Sequence, residues 1–484
     1  MDYLGWLLVG LLIGGSAAYW FVRQKMAKDD TAARGHSSVA SLLVAHFHPT
    51  ATTDITITER QFPFRVRADL QRAIDQLFGN QTCILHFCGV RREYSHEGLG
   101  LSDCIIESGR NPAVSIPPEY EDIDIGEDEP IRVLKNGLWL LERNQMRFAV
   151  LLSPVLRYGQ LTGMQFHLGT VNSAKGTEIA QGFFQYLEKS ILKGESYRGK
   201  ILSLELSEHS YSGQSTGITV HKLRMVERDQ VILPAATLNL LERNVIQFVK
   251  QRERLAQFRQ ATKKGLLFYG PPGTGKTHTI HYLARALPGH TTLLVSAEQV
   301  GLLAEYMTLA RLLQPSIVVL EDVDLIARDR GDMNNVCEEV LLNKLLNEMD
   351  GLKEDADILF ILTTNRPEAL EAALASRPGR VDQAIEFPLP DDSGREKLVM
   401  LYAKDASLPT DVVASIVRKT QGVSAAFIKE LMRRIIQFHI ERNSGAQVDA
   451  GDVELALEEM LFSGGSLNLK LLGAGTLEAT QTPR

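Results

Sequence analysis

Excess positive charge is missing from this sequence: 52 lysines and arginines face 59 aspartates and glutamates, for a net charge of -7. Proteins that grip nucleic acid usually present a basic face, so no nucleic-acid partner is expected. Cysteine is scarce too, four in 484 residues, too few for a disulfide framework and consistent with a reducing compartment. Cys83 and Cys88 lie in the strand-like run "TCILHFCGV", where odd and even positions face opposite sides, so they are poorly placed to share a metal or pair with each other. His86, and the pair His46 and His48, do not complete a ligand set. The sequence contains no H-E-x-x-H, so zinc proteolysis of that kind is not expected, and it has no low-complexity block. Its length suits about three domains with sizeable cores.

What is present begins with residues 4–22, "LGWLLVGLLIGGSAAYWFV", 19 positions without a charge and enough for a helix to span a bilayer. Tyr3 and Trp6 at one end and Tyr19 and Trp20 at the other stand where interfacial aromatics belong. A cleaved secretory signal fits less well, because no basic stretch precedes the run and no small-x-small site follows it. Arg23, Lys25 and Lys28 come next, which places the N-terminus outside and the bulk of the chain on the cytoplasmic side of a single-pass anchor. Gly10, Gly14 and Ala18 recur every four residues, a face along which membrane helices pack closely.

Residues 1–30 are thus expected to be an anchor with its basic flank. From 31 to 228, strand-like runs such as "GLWLLE", "FAVLLSP" and "KILSLEL" mix with helical patterns such as "RADLQRAIDQLF", and the reading is one α+β middle domain that binds a client or partner. It shows no catalytic constellation. The acidic "PPEYEDIDIGEDEP" reads as a solvated loop before a contact surface.

Chemistry starts with "GPPGTGKT": Gly270, Pro271, Pro272, Gly273, Thr274, Gly275, Lys276 and Thr277, between the strand "LLFYG" and a helical pattern. Glycines let successive N–H groups converge on phosphate at a helix N-terminus, where the dipole favours an anion. Lys276 can reach the β- and γ-phosphates of ATP, and Thr277 can offer its hydroxyl to Mg²⁺. About forty residues on, "SIVVLEDVD" brings Glu321 and Asp322 to the end of a buried strand. A third strand, "ADILFILTTN", ends in Asn365, whose amide can sit between γ-phosphate and attacking water. "ASRPGR" then supplies Arg377 and Arg380, arginines placed to act in trans on a neighbour's phosphoryl transfer.

Together these elements, with "LLNEMDGL", "RPGRVD" and "GVSAAFIKEL", make residues 229–465 resemble the AAA family of the AAA+ ATPases. The resemblance implies an α/β fold: a P-loop doubly wound parallel sheet over 229–390 and a helical lid over 391–465, here preceded by the membrane helix and the middle domain. Residues 466–484 read as a disordered tail. It also implies a ring, usually a hexamer, with ATP at each subunit boundary. Two departures stand out. Leu302, Leu303 and Ala304 occupy the place of the family's aromatic pore loop, which puts threading of an extended chain in doubt. The acid pair runs Glu321 then Asp322, the reverse of the usual order. The same L-E-D-V-D order and a similar plan occur in the membrane-anchored mitochondrial AAA chaperone that translocates the folded Rieske protein, although the middle region does not match.

The reversal lengthens the metal-side arm and shortens the base-side arm, each by roughly 1.5 Å. Mg²⁺ keeps several waters, so a longer Glu321 arm is tolerable there. A shorter base is the greater risk, since displacement of about 1 Å can cost roughly a hundredfold in rate. The expectation is slow but real hydrolysis, with Glu321 on the metal and Asp322 as base. Two functions follow: a membrane-tethered ATPase that remodels or translocates proteins, or an ATP-gated ring scaffold that assembles and releases partners without mechanical work.

Overall fold

The computed structural model describes residues 38–79, 83–92, 98–106, 111–157, 160–206, 215–326, 347–348, 351, 356–368, 381–442 and 447–460. The expected membrane span at 4–22, the arginines at 377 and 380 and the tail from 466 lie outside them. Among the described residues no helix is long and apolar enough to cross a membrane. The chain divides into two compact units at Ser196/Tyr197.

The first unit is built on a seven-stranded sheet in the order β1-β7-β6-β5-β2-β3, with β4 also paired to β5. The strands are β1 (Ile55–Pro63), β2 (Cys83–Arg91), β3 (Val114–Ile116), β4 (Glu119–Ile123), β5 (Ile131–Arg143), β6 (Met146–Arg157) and β7 (Gln160–Val171). Every pairing is antiparallel. The runs "GLWLL" and "FAVLL" are apolar at every position rather than at alternate ones because both faces of the sheet are covered. Leu138 and Leu140 point to a core shared with Val39, Leu43 and Phe47 of the helix Val39–Phe47. Trp139, one residue out of phase, stacks on Phe87 and packs against Phe78 of the helix Arg67–Gly79 on the other face. Phe183, from the helix Ala174–Leu192, meets Phe78 and Phe166 there. That helix starts where the Ser173 hydroxyl accepts the N–H of Gly176 at 3.1 Å and buries Ala180, Phe183, Phe184, Leu187 and Ile191, one helical stripe. Phe183, Phe184, Leu187 and Ile191 each contribute about 1.5–3 kcal/mol by leaving water. Cys83 is exposed and Cys88 buried on β2.

The second unit contains the strand order β14-β10-β13-β12-β11-β8-β9. Its strands are β8 (Ile201–Leu206), β9 (Ser215–Val220), β10 (Lys264–Tyr269), β11 (Thr291–Val295), β12 (Ser316–Leu320), β13 (Ile358–Thr364) and β14 (Gln383–Glu386). From β14 to β8 all neighbours are parallel, and only β9 runs antiparallel, to β8. β12 and β13 are buried at every residue, as parallel strands sandwiched between helices must be. The four helices Asp392–Ala403, Thr410–Lys419, Ala425–Arg442 and Ala450–Glu458, over the stretch read as a helical lid, form a separate core around Phe427, Leu431 and Ile435.

One sequence assignment is corrected. "KILSLEL" was placed with the middle domain to residue 228, yet it forms β8, whose Ile201 and Leu202 pair with Thr292 and Leu293 of β11. The Tyr306 hydroxyl accepts the N–H of Leu204 at 2.8 Å, and Gln299 Nε2 donates to the Leu204 carbonyl at 2.7 Å. The partners lie some ninety residues downstream, and local periodicity carries no information about so distant a pairing.

Candidate nucleotide site

The site forms at the C-terminal ends of β10, β12 and β13, where the parallel sheet's strand order places β10 between β13 and β14. β10 ends in Tyr269, paired with Thr364 at the end of β13, so the loop after β10 and Asn365 after β13 emerge side by side. Gly270 has φ +145°, and a Cβ there would lie 2.3 Å from the Phe387 carbonyl oxygen. Gly273, at φ +77°, lies so close to the start of the helix Ala425–Arg442 that a Cβ would meet Ser424 Oγ and Ala426 Cβ at 2.9 Å. The Thr274 hydroxyl donates to the Pro271 carbonyl at 2.9 Å and closes the loop. The loop runs into the helix Lys276–Ala286, whose N-cap has no side-chain partner, leaving its first N–H groups directed at an anion.

Lys276 is 7% exposed. Its ammonium donates to the carbonyls of Gly270 at 2.8 Å and Pro271 at 3.0 Å and to Asn365 Oδ1 at 2.8 Å. Burial brings its pKa down to about 8, while Asp322 and Asp324 oppose the fall. Three neutral acceptors satisfy its protons but supply no full countercharge, a fit to a phosphate. Thr277 is exposed in the first helical turn.

Beyond β12 the two acids part. The Glu321 N–H continues the sheet by donating to the Val295 carbonyl at 3.1 Å. Its carboxylate stands near His281 of the loop helix, whose pKa burial lowers and Glu321 partly restores. Asp322 turns into the left-handed region, φ +48°, which costs a non-glycine residue about 1–2 kcal/mol. Its N–H donates to Thr363 Oγ1 at 2.9 Å, and its Oδ1 accepts from Asn365 Nδ2 at 3.0 Å. Asn365 therefore joins the phosphate-side lysine to the second acid through opposite ends of one amide. Asp324 completes the cluster and was not singled out from the sequence. It is 4% exposed, and its Oδ1 accepts from the Thr364 hydroxyl at 2.9 Å and the Asn365 N–H at 3.1 Å. The only sequence signal was a third acid two positions beyond Asp322 in an otherwise apolar turn.

A second feature missed in the sequence is a slot of ≈ 10 Å³ lined by Ile232, Leu233, Pro234, Thr274, Pro388, Pro390, Asp391, Gly394 and Ala425. It brings together the lead-in segment, the phosphate loop and the starts of the helices Asp392–Ala403 and Ala425–Arg442, and it is mainly apolar. His278 Nε2 donates to the Gln230 carbonyl at 3.2 Å and ties the loop helix to that lead-in. Leu302 and Leu303, in the place of the family's aromatic pore loop, are 1% and 0% exposed and belong to the core. They lie where a short turn over Ala297–Leu302 passes into the helix Leu303–Leu312.

A glycine loop on a buried lysine, two strand-end acids and an intervening amide define a P-loop nucleotide fold. Residues 266–389 match the ATPase family associated with various cellular activities (AAA), so the chain carries a AAA ATPase domain over that stretch. It is 32% identical over 322 residues to the ATP-dependent zinc metalloprotease FtsH 3 of Sphaerobacter thermophilus, covering 64% of this chain and 59% of that protein. It is 32% identical over 246 residues to a 26S proteasome regulatory subunit 8 homolog of Encephalitozoon cuniculi, covering 47% of this chain and 61% of the relative. With the FtsH of Thermus thermophilus it shares 31% identity over 245 residues, 47% of this chain and 38% of the relative. The chain thus spans about three fifths or less of these relatives.

Proposed function

We propose that the chain is an ATP hydrolase that couples turnover to remodelling or translocating proteins from a ring. The observation that carries this reading is the continuous link from Lys276 through Asn365 to Asp322, which a site built only for binding does not need. In this reading Gly270 to Thr277 cradle the phosphates, Asp322 takes the proton of the attacking water, and Asn365 orients that water against the γ-phosphate. Thr277 and Glu321 would hold Mg²⁺, largely through water; the metal supplies neutralisation of charge on the phosphate oxygens. Arg377 and Arg380 would serve a neighbouring subunit's nucleotide.

Residues 4–22 would anchor the assembly, with the ATPase on the cytoplasmic side, and the first unit would select the client. The names of two relatives speak of proteolysis, which is said of those proteins; the reading here is remodelling. The finer likeness to the Rieske-translocating chaperone rests on the L-E-D-V-D order and the shared plan. Burial of Leu302 and Leu303 favours handling the client without an apolar threading loop, and it keeps in view the second reading, an ATP-gated ring scaffold.

Turnover of the purified chain decides the first point. Asp322→Asn is expected to cut ATP hydrolysis about a hundredfold or more while MgATP still binds. Unchanged turnover would sink the assignment of the base. Unfolding or transport of a tagged client in step with turnover favours remodelling; turnover without either favours the scaffold.

A further inference from the structure

We propose that Asp324 is a positioning residue for hydrolysis, holding Asn365 so that its amide meets Lys276 and Asp322 at once. This rests on the ATPase reading above and adds a residue to it. Three facts meet at Asp324. Its carboxylate is buried, at 4% exposure, in the short helix Val323–Ile326 that follows the acid pair. One of its oxygens, Oδ1, accepts both the Thr364 hydroxyl at 2.9 Å and the Asn365 N–H at 3.1 Å, so it clamps the last strand residue and the first residue beyond the strand. The clamped residue is the one whose side chain spans the site, with Oδ1 receiving Lys276 at 2.8 Å and Nδ2 reaching Asp322 at 3.0 Å.

The geometry leaves little freedom elsewhere. Asn365 follows the end of β13, so its own backbone is outside the strand pairing with β10. Without the carboxylate its N–H has no acceptor in this arrangement, and the amide plane is free to rotate about the strand end. Thr364 Oγ1 also accepts the N–H of Arg366 at 2.9 Å, so Asp324 orders three successive residues through one oxygen. Asp322 is fixed separately, by Thr363 Oγ1 on its N–H. The base and the amide therefore have independent supports, and loss of Asp324 misaligns one against the other without removing the phosphate loop. Misalignment of about 1 Å at such a position lowers the chemical step far more than it lowers binding.

Asp324→Ala tests the assignment in the full chain, because it removes the oxygen that accepts from Thr364 and Asn365. The expected result is a fall in kcat of about tenfold or more with the KM for ATP within about threefold of wild type. Asp324→Asn keeps an amide oxygen able to accept both bonds and is expected to restore most of the loss, as a positioning role through those bonds requires. Thr364→Val, which removes one of the two donors to the same oxygen, is expected to give a smaller fall in kcat, again at nearly constant KM. Wild-type kcat in Asp324→Ala and Thr364→Val overturns the proposal, as does a loss in which affinity and kcat fall together, or an Asp324→Asn variant as slow as Asp324→Ala. If Asp324→Ala does not fold, the Thr364→Val comparison decides alone: unchanged kcat refutes the role and a selective fall supports it. Absence of turnover in the wild type defeats the ATPase reading itself, whereas wild-type turnover with an indifferent Asp324→Ala defeats only this inference.

Discussion

Replacing Lys276 by methionine is expected to destroy nucleotide binding and yet stabilise the nucleotide-free ATPase unit. The lysine's pKa falls from 10.5 to about 8, chiefly because burial strips water from the ammonium. At about 1.4 kcal/mol per tenfold, that gap makes the charged form cost the fold on the order of 3 kcal/mol below pH 8. The folded value lies beneath the unfolded one, so the unfolded chain holds this proton more tightly. Wild-type stability therefore rises with pH between about 8 and 10.5 and is lowest, in this contribution, below 8. Methionine fills a similar volume without a charge. It also leaves the acceptors on Gly270, Pro271 and Asn365 without their donor, a cost of about 1 kcal/mol or so that reduces the net gain near pH 7 to about 1–2 kcal/mol. All three tryptophans lie before residue 197, so their fluorescence reports on the other unit. Hydrogen exchange of β12 and β13 peptides at pH 7 and 9.5, corrected for intrinsic rates, is the suitable assay. A methionine variant that is less stable at pH 7, with the wild type's pH slope, would refute the reasoning; saturating MgATP should erase the wild type's deficit by giving the ammonium an anionic partner.

Other outcomes follow from single contacts. Asp322→Glu pushes the carboxylate about 1.5 Å past Asn365 Nδ2, and turnover should drop about tenfold or more despite the restored acid size; a gain in rate would show that the reversed pair is merely a handicap. Leu303→Ala should destabilise the ATPase unit by about 2–5 kcal/mol, seen by urea unfolding, since Leu303 is fully buried; a change confined to client handling would return it to a surface role. His46 and His167 in the first unit are held below the ordinary histidine value mainly by burial, so their contribution to stability is complete above pH 6.5 and is lost as pH falls. Trp139 fluorescence during acid titration should register that loss, and substituting both histidines should flatten it. A carbonate wash should leave the full chain with membranes, and release to the soluble fraction would end the anchor proposal.

The phosphate loop was legible because its chemistry is local: glycines, lysine and threonine at fixed spacing, between a strand and a helix that also show in the pattern. The second unit's parallel strands showed as unbroken apolar runs because both faces are buried. In the first unit, "GLWLL" and "FAVLL" were equally readable as strands, but their partners were not, since many antiparallel orders satisfy the same runs. That Leu302 and Leu303 are buried was not legible, because an apolar pair in a short loop reads alike whether it faces a client or a core.

By itself the sequence determined the nucleotide chemistry, the order of its parts and the reversal of the two acids, since each is a matter of residue type and spacing along the chain. Tertiary structure decided that β8 joins the ATPase sheet, that Asp322 turns left-handed towards Asn365 while Glu321 does not, and that Asp324 accepts the N–H of Asn365, whose amide lies between Lys276 and Asp322. These depend on hydrogen bonds between residues some forty to ninety positions apart, closed only when parallel strands bring their ends together.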